Sequence, residues 1–219
     1  MTRATYAELL NLLAGIALVA AVLTLWRRKL VAIVRLLAVQ GAAVAATGLV
    51  IGIDRASVSA IVLATLAFAL KAGVIPLVLL RLVRRGPDAR ETQPLVNVSA
   101  SLVAAALLIA LAFASTSAVV SLSSGPESRV IPLGFAIVLV GFFSLATRGK
   151  APSQLVGFLL FENGVALVAV LAAAGVSVVV ELGVALDVLL AVLVLQVLTA
   201  RMQDKFGSLD LDQLQELHD

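Results

Sequence analysis

The sequence predicts an all-α integral membrane protein with seven spanning helices, and three observations carry that expectation. Hydrophobic residues make up 62% of the chain and charged residues only 13%, about half the charged share that a water-facing surface demands. Mean hydropathy is +1.13. The apolar residues also come in runs of about twenty, the length a helix needs to cross roughly 30 Å of hydrocarbon.

Taken in order, the runs cover residues 6–26, 30–53, 58–82, 95–120, 130–147, 154–174 and 180–200. Backbone breakers fall between them: Gly86, Pro87 and Asp88 after the third, Ser124, Gly125 and Pro126 after the fourth, Gly149 and Pro152 after the fifth. The sixth gap, around Gly175, is short. The first run is expected to persist as a span, because it is long for a signal peptide and its positive cluster follows it instead of preceding it.

Orientation follows from the cations, since cytoplasmic loops retain Lys and Arg. Of the 16, eleven fall in alternate gaps on one side: Arg27, Arg28, Lys29, Arg81, Arg84, Arg85, Arg90, Arg148, Lys150, Arg201 and Lys205. The other side has Arg3, Arg55 and Arg129. Arg35 lies close enough to a span end to snorkel, and Lys71 lies within a span. The N-terminus is therefore expected outside and the C-terminus in the cytoplasm. After Arg201 the tail turns polar. Asp210 followed by Gln213 reads as a helix start, and Leu211, Leu214 and Leu217 form one apolar stripe, either on the protein's own cytoplasmic face or as a dock for a soluble partner.

The residue inventory excludes several chemistries from this chain. There is no cysteine, and His218 is the one histidine, so thiolate-held iron–sulfur clusters and histidine-ligated haem within the membrane are not expected. The formal charge of +3 sits at span ends, where it binds anionic headgroups. No aromatic–basic stripe suited to stacking bases accompanies it, so no nucleic acid is expected as a partner.

The informative residues are three ionisable groups within spans: Lys71, Glu162 and Asp187. Each costs roughly 2.5–3.5 kcal/mol on insertion scales at a helix centre. Counting about 1.5 Å per residue, Lys71 lies roughly 15 Å from Arg81, Glu162 roughly 15 Å from Pro152, and Asp187 roughly 21 Å from Arg201. Lys71 and Glu162 thus share a depth and can pair if their helices are neighbours; Asp187 lies nearer the outer side. Two readings stand. A static ion pair could fix helix packing, although such pairs are weak evidence for stability. Alternatively the groups form a proton relay, since burial favours a neutral carboxyl while a nearby ammonium favours the ionised one, and movement of either toggles the proton. Glu181, at the start of the last span, is a candidate outer mouth.

Other polar features are secondary. Asn163 is placed either to hydrogen-bond Glu162 or to bridge helices. Gly157 and Gly164 share a helix face that lets another helix approach. Pro76, five residues after Lys71, frees a backbone carbonyl near Ala72 and points to a kink. Gln40 and Gln196 suggest interhelical hydrogen bonds. The fourth span has no charge and suits lipid or another subunit.

At these residues the chain resembles a known family. The stretch LVGFLLFENGVALVAV, 155–170, is similar to the signature of the E-type membrane component of formate-hydrogenlyase and related membrane-bound hydrogenases. LKAGVIPLVLLRLVRR, 70–85, and FGSLDLDQLQEL, 206–217, resemble that family's third-helix segment and its ending. From about Val130 onward the chain also resembles the three-helix K-type subunit of respiratory complex I, which divides it into a four-span part, 1–129, and a K-like part with cytoplasmic tail, 130–219. The K-type subunit carries a glutamate on each of two adjacent helices. The second matches Asp187, a shorter acid, and the first falls at Leu159, one turn from Glu162 and on roughly the same face.

The resemblance implies a multi-pass subunit of a bacterial inner membrane, without catalytic turnover of its own, in the membrane arm of a complex-I-like oxidoreductase. Its implied partners are antiporter-like membrane subunits, a membrane anchor subunit and a peripheral oxidoreductase arm holding nickel–iron and iron–sulfur centres. Lys71 would tune the proton affinity of Glu162, the central carrier, and Asp187 would be the next carrier. The rival expectations are a structural subunit in which the charges act as helix glue, and a component of a multisubunit cation/proton antiporter.

Overall fold

Why the helices pack as they do is clearest in the first, α1 (Arg3–Trp26). Between the buried Leu10 and Leu25 its inward face is small, with Ala14, Ala17, Ala20 and Ala21, while Leu12, Ile16 and Val19 are exposed. That inverts the pattern of a water-soluble helix. Lipid is as apolar as leucine, so large side chains are not driven inward by hydrophobicity alone, and small residues line much of the interface because they let backbones approach.

The computed structural model describes residues 1–85, 96–122, 125–149 and 151–172. Among these there is no strand. After α1 come α2 (Leu30–Asp54), α3 (Val58–Phe68), a π-helical turn (Ala69–Val74), α4 (Ile75–Arg85), α5 (Val98–Leu122), α6 (Ile131–Thr147) and α7 (Ala151–Ala172). Segments Arg3–Trp26, Leu30–Asp54, Val58–Arg81, Val98–Ala118 and Pro152–Ala172 are long and apolar enough to cross a membrane. Helix α6 is shorter, at 17 residues. This is the helical architecture of a multi-pass membrane protein. The span expected at 180–200 and the cytoplasmic tail helix lie outside the described residues.

Local chemistry sets the helix starts. The Thr5 N–H donates to Thr2 Oγ1 at 3.2 Å, the Ala60 N–H to Ser57 Oγ at 3.4 Å and the Ala100 N–H to Asn97 Oδ1 at 2.7 Å, so α1, α3 and α5 each begin on a side-chain acceptor. Pro132 lies in the first turn of α6, where its missing N–H leaves no bond unmade.

Polar contacts tie the helix ends together. The Tyr6 hydroxyl donates to Glu127 Oε1 at 2.8 Å, and Arg55 Nη2 reaches the same oxygen at 3.4 Å. The start of α1, the end of α2 and the approach to α6 therefore share one end of the bundle. At the other end Arg148, 5% exposed, donates from Nη2 to the Thr24 carbonyl at 2.9 Å. The sequence pattern reads Arg148 as one more loop cation; the structure buries it against the last turn of α1, whose carbonyls lack helical donors. Arg148→Met is expected to destabilise the protein by about 1–3 kcal/mol, because an acceptor is left unmet. Thermal melting of the detergent-solubilised protein checks this, with Arg148→Lys recovering part of the loss.

Among the described residues two apolar clusters make up the core. One gathers Leu10, Ala17 and Leu25 of α1, Ala43, Val44 and Ile51 of α2, Ile137 and Val140 of α6, and Leu167 and Leu171 of α7. The other holds Ile33, Val34 and Leu37 of α2, Leu79 of α4, and Val156, Leu159 and Leu160 of α7. On α2 the gap between them, from Leu37 to Ala43, contains Gln40. On α7 the gap from Leu160 to Leu167 contains Glu162 and Asn163. A polar layer is thus held between two greasy ones.

Candidate functional site

That layer is completed by Lys71 from the π-helical turn. A π turn closes its hydrogen bonds five residues back instead of four, and here the Ile75 N–H donates to the Leu70 carbonyl. Pro76, next in sequence and buried, has no N–H to continue an α-helical ladder. The sequence expectation of a kink at Pro76 is therefore refined: the ladder is rerouted through a π turn, and Lys71 sits within it.

Gly41 of α2 lies flat against this turn. A Cβ there would stand 2.8 Å from Lys71 Cβ and 2.9 Å from the Lys71 carbonyl oxygen, distances no side chain tolerates. Only glycine lets α2 come this close and bring Gln40 alongside.

Lys71 and Glu162 pair directly. Nζ donates to Glu162 Oε1 at 2.7 Å and Oε2 at 2.8 Å, and to Asn163 Oδ1 at 2.9 Å. The lysine side chain is 4% exposed and the glutamate side chain 9%. Asn163 Nδ2 in turn donates to Gln40 Oε1 at 3.0 Å, and Gln40 is fully buried. Asn163 thus bridges helices, passing from the lysine to α2. Four side chains on three segments form one hydrogen-bonded chain, with an ammonium and a carboxylate at its head. Such an arrangement keeps a buried charge pair satisfied and places a titratable group where helix motion would alter its partner.

The comparisons with known proteins bear on this site. Uncharacterized protein Rv0085 of Mycobacterium tuberculosis (strain H37Rv) is 46% identical over 220 residues, spanning 100% of this chain and 100% of its own. The chain belongs to the family of that mycobacterial protein. Beyond the Rv0085 family, a more distant similarity reaches hydrogenase-4 component E of Escherichia coli (strain K12), 28% identical over 153 residues, or 69% of this chain and 70% of that protein. The hydrogenase-4 component E of Shigella flexneri gives the same figures. No family model matches the chain, and no solved structure does.

Of the candidate residues named from sequence, the structure brings Lys71, Glu162 and Asn163 together. Pro76 lies just beyond the π turn. Gly157 and Gly164 both face α6, where a Cβ would come within 2.6 Å of the Leu145 and Val138 backbone nitrogens respectively. Asp187 and Glu181 lie outside the described residues. Sequence reasoning assigned Gln40 only a generic helix-bridging bond and passed over Gly41. A glutamine beside a glycine in mid-span was the available signal, since one supplies a polar group and the other the close approach that lets it be used.

Proposed function

We propose that this chain is a membrane-arm subunit of a complex-I-like oxidoreductase of the hydrogenase type, and that Lys71, Glu162, Asn163 and Gln40 form part of an ion path through it. The observation that carries the proposal is the Lys71–Glu162 pair, held at 2.7 Å and nine-tenths or more buried between two apolar clusters. Ionisable residues inside membrane spans are rare and are typically retained for moving ions or protons. The distant similarity to hydrogenase-4 component E supplies the type of assembly. On this reading the chain has no turnover of its own in the inner membrane of a bacterium. Redox centres, nickel–iron and iron–sulfur, belong to a peripheral arm, and antiporter-like subunits and a membrane anchor are its neighbours. Glu162 carries the proton, Lys71 tunes it, and Asp187 is the next carrier.

Replacing Glu162 with Gln in the assembled complex tests this. The amide keeps one oxygen facing Nζ, so the helices stay joined while the titratable group is gone. In vesicles, the expected result is continued electron transfer with loss of the coupled proton gradient. A wild-type ratio of ions moved to electrons transferred would remove Glu162 from the path and favour the reading in which the pair only fixes packing.

A further inference from the structure

The polarity of the hydrogen-bond chain is fixed from its charged end. An ammonium has donors and no acceptor, so Asn163 must turn Oδ1 toward Lys71 Nζ, as it does at 2.9 Å. Its Nδ2 is thereby committed to donate, and Gln40 must offer Oε1, at 3.0 Å. Neither amide can be reversed without setting N–H against N–H. The consequence falls on the last atom: Gln40 Nε2 is left with donors to give. It is buried and finds no acceptor among the described residues. An unmet buried amide donor costs about 1–3 kcal/mol, and native proteins seldom leave one without a partner.

We propose that Gln40 Nε2 holds a bound water molecule, and that this is where the Lys71–Glu162 cluster is hydrated from the α2 side. The inference rests on the ion-path reading and extends it by naming a hydration point. The occupant's class follows from the atoms. Two N–H groups repel a cation, so Nε2 cannot coordinate Na⁺. The side-chain oxygens of the cluster already accept from nitrogen: both Glu162 oxygens and Asn163 Oδ1 from Lys71 Nζ, and Gln40 Oε1 from Asn163. An anion would need more than one neutral amide to offset its loss of hydration at this depth. Water asks only for an acceptor's place and is the usual partner of otherwise unmet buried polar groups. It is also the carrier a proton path needs.

The test is an electron cryomicroscopy map of the assembled complex, at a resolution that shows ordered water, for the wild type and for Gln40→Leu. The expected result is density within hydrogen-bond distance of Nε2 in the wild type and none in Gln40→Leu. In vesicles, the variant complex should transfer electrons while moving severalfold fewer protons per electron. A dry Nε2, an Nε2 bonded to a neighbouring protein acceptor, or a wild-type ratio in Gln40→Leu where Glu162→Gln loses coupling would each overturn the proposal. If Gln40→Leu fails to assemble, the wild-type map decides alone. The map tests the water and Glu162→Gln tests the path, so either can fail without the other.

Discussion

Lys71→Met is expected to destabilise the protein by about 3–5 kcal/mol, the cost of leaving one member of a buried ion pair without its partner. Three acceptors among the described residues are affected: two carboxylate oxygens and the Asn163 carbonyl oxygen lose the lysine donor together. The loss should exceed that of Glu162→Gln, because the glutamine retains an oxygen for Nζ whereas methionine offers nothing to the carboxylate. Removing both charges, with Lys71→Met and Glu162→Gln combined, should recover part of the stability, since no buried charge is then left without its partner. The single and double variants form a cycle whose coupling term reports the pair directly. Thermal melting of the detergent-solubilised assembly reads it. A Lys71→Met loss below about 1 kcal/mol, in the range of an exposed pair, would show that the two groups do not depend on each other. Stability and transport separate here: the double variant is expected to be more stable than Lys71→Met and yet inactive in proton translocation.

The same residues show how far the sequence carries and where it stops. A lysine and a glutamate within apolar runs are conspicuous because hydrocarbon penalises each alone, and equal depth follows from counting the rise along each helix. The pairing of Lys71 and Glu162 was therefore legible up to the adjacency of their helices. Helix adjacency is a property of packing, which the uniformly apolar spans here do not encode; with lipid on one side and protein on the other, both faces of α1 are hydrophobic. Gln40 became part of the cluster only because Gly41 admits the π turn. The π turn was legible as a disturbance at Pro76, and its form was not, because a missing N–H is compatible with either a kink or a wider turn. Arg148 shows the opposite error. A cation in a loop reads as solvated by default, and nothing in its neighbours says that a carbonyl at the end of α1 lies within its reach.

The glycines of α6 and α7 are where one added carbon should do the most damage. Gly157 and Gly164 were recognisable as a close-approach face, but their counterparts on α6, Gly134 and Gly141, become meaningful only once the two helices are seen side by side. A Cβ on Gly141 would overlap the backbone of Phe161, with its Cα at 2.6 Å; on Gly157 it would lie 2.6 Å from the Leu145 nitrogen, and on Gly164 2.6 Å from the Val138 nitrogen. These obstacles are main chain and cannot rotate aside, so the helices themselves must part. Gly141→Ala, Gly157→Ala and Gly164→Ala are each expected to cost about 1–3 kcal/mol, the usual range for overpacking a tight contact, and the corresponding leucine variants should fail to accumulate. Gly134→Ala should be milder, because its nearest obstacle, at 2.8 Å, is a methyl of Val168. Gly15 supplies the control. A Cβ there meets nothing within 4 Å, so Gly15→Ala should be neutral or gain up to about 1 kcal/mol from helix propensity. Melting temperatures of the five alanine variants should therefore rank with the distance to the nearest main-chain atom. Equal losses at Gly15 and Gly141 would mean that close helix approach is not what these glycines provide. The effect should also reach the polar layer: Phe161 and Gly164 flank Glu162 and Asn163 on α7, so a helix pushed away from α6 carries the carboxylate with it. Hydrogen bonds of 2.7 and 2.8 Å to Nζ leave little slack, and Gly141→Ala complexes that do assemble should couple electron transfer to proton movement less well than their stability alone would indicate.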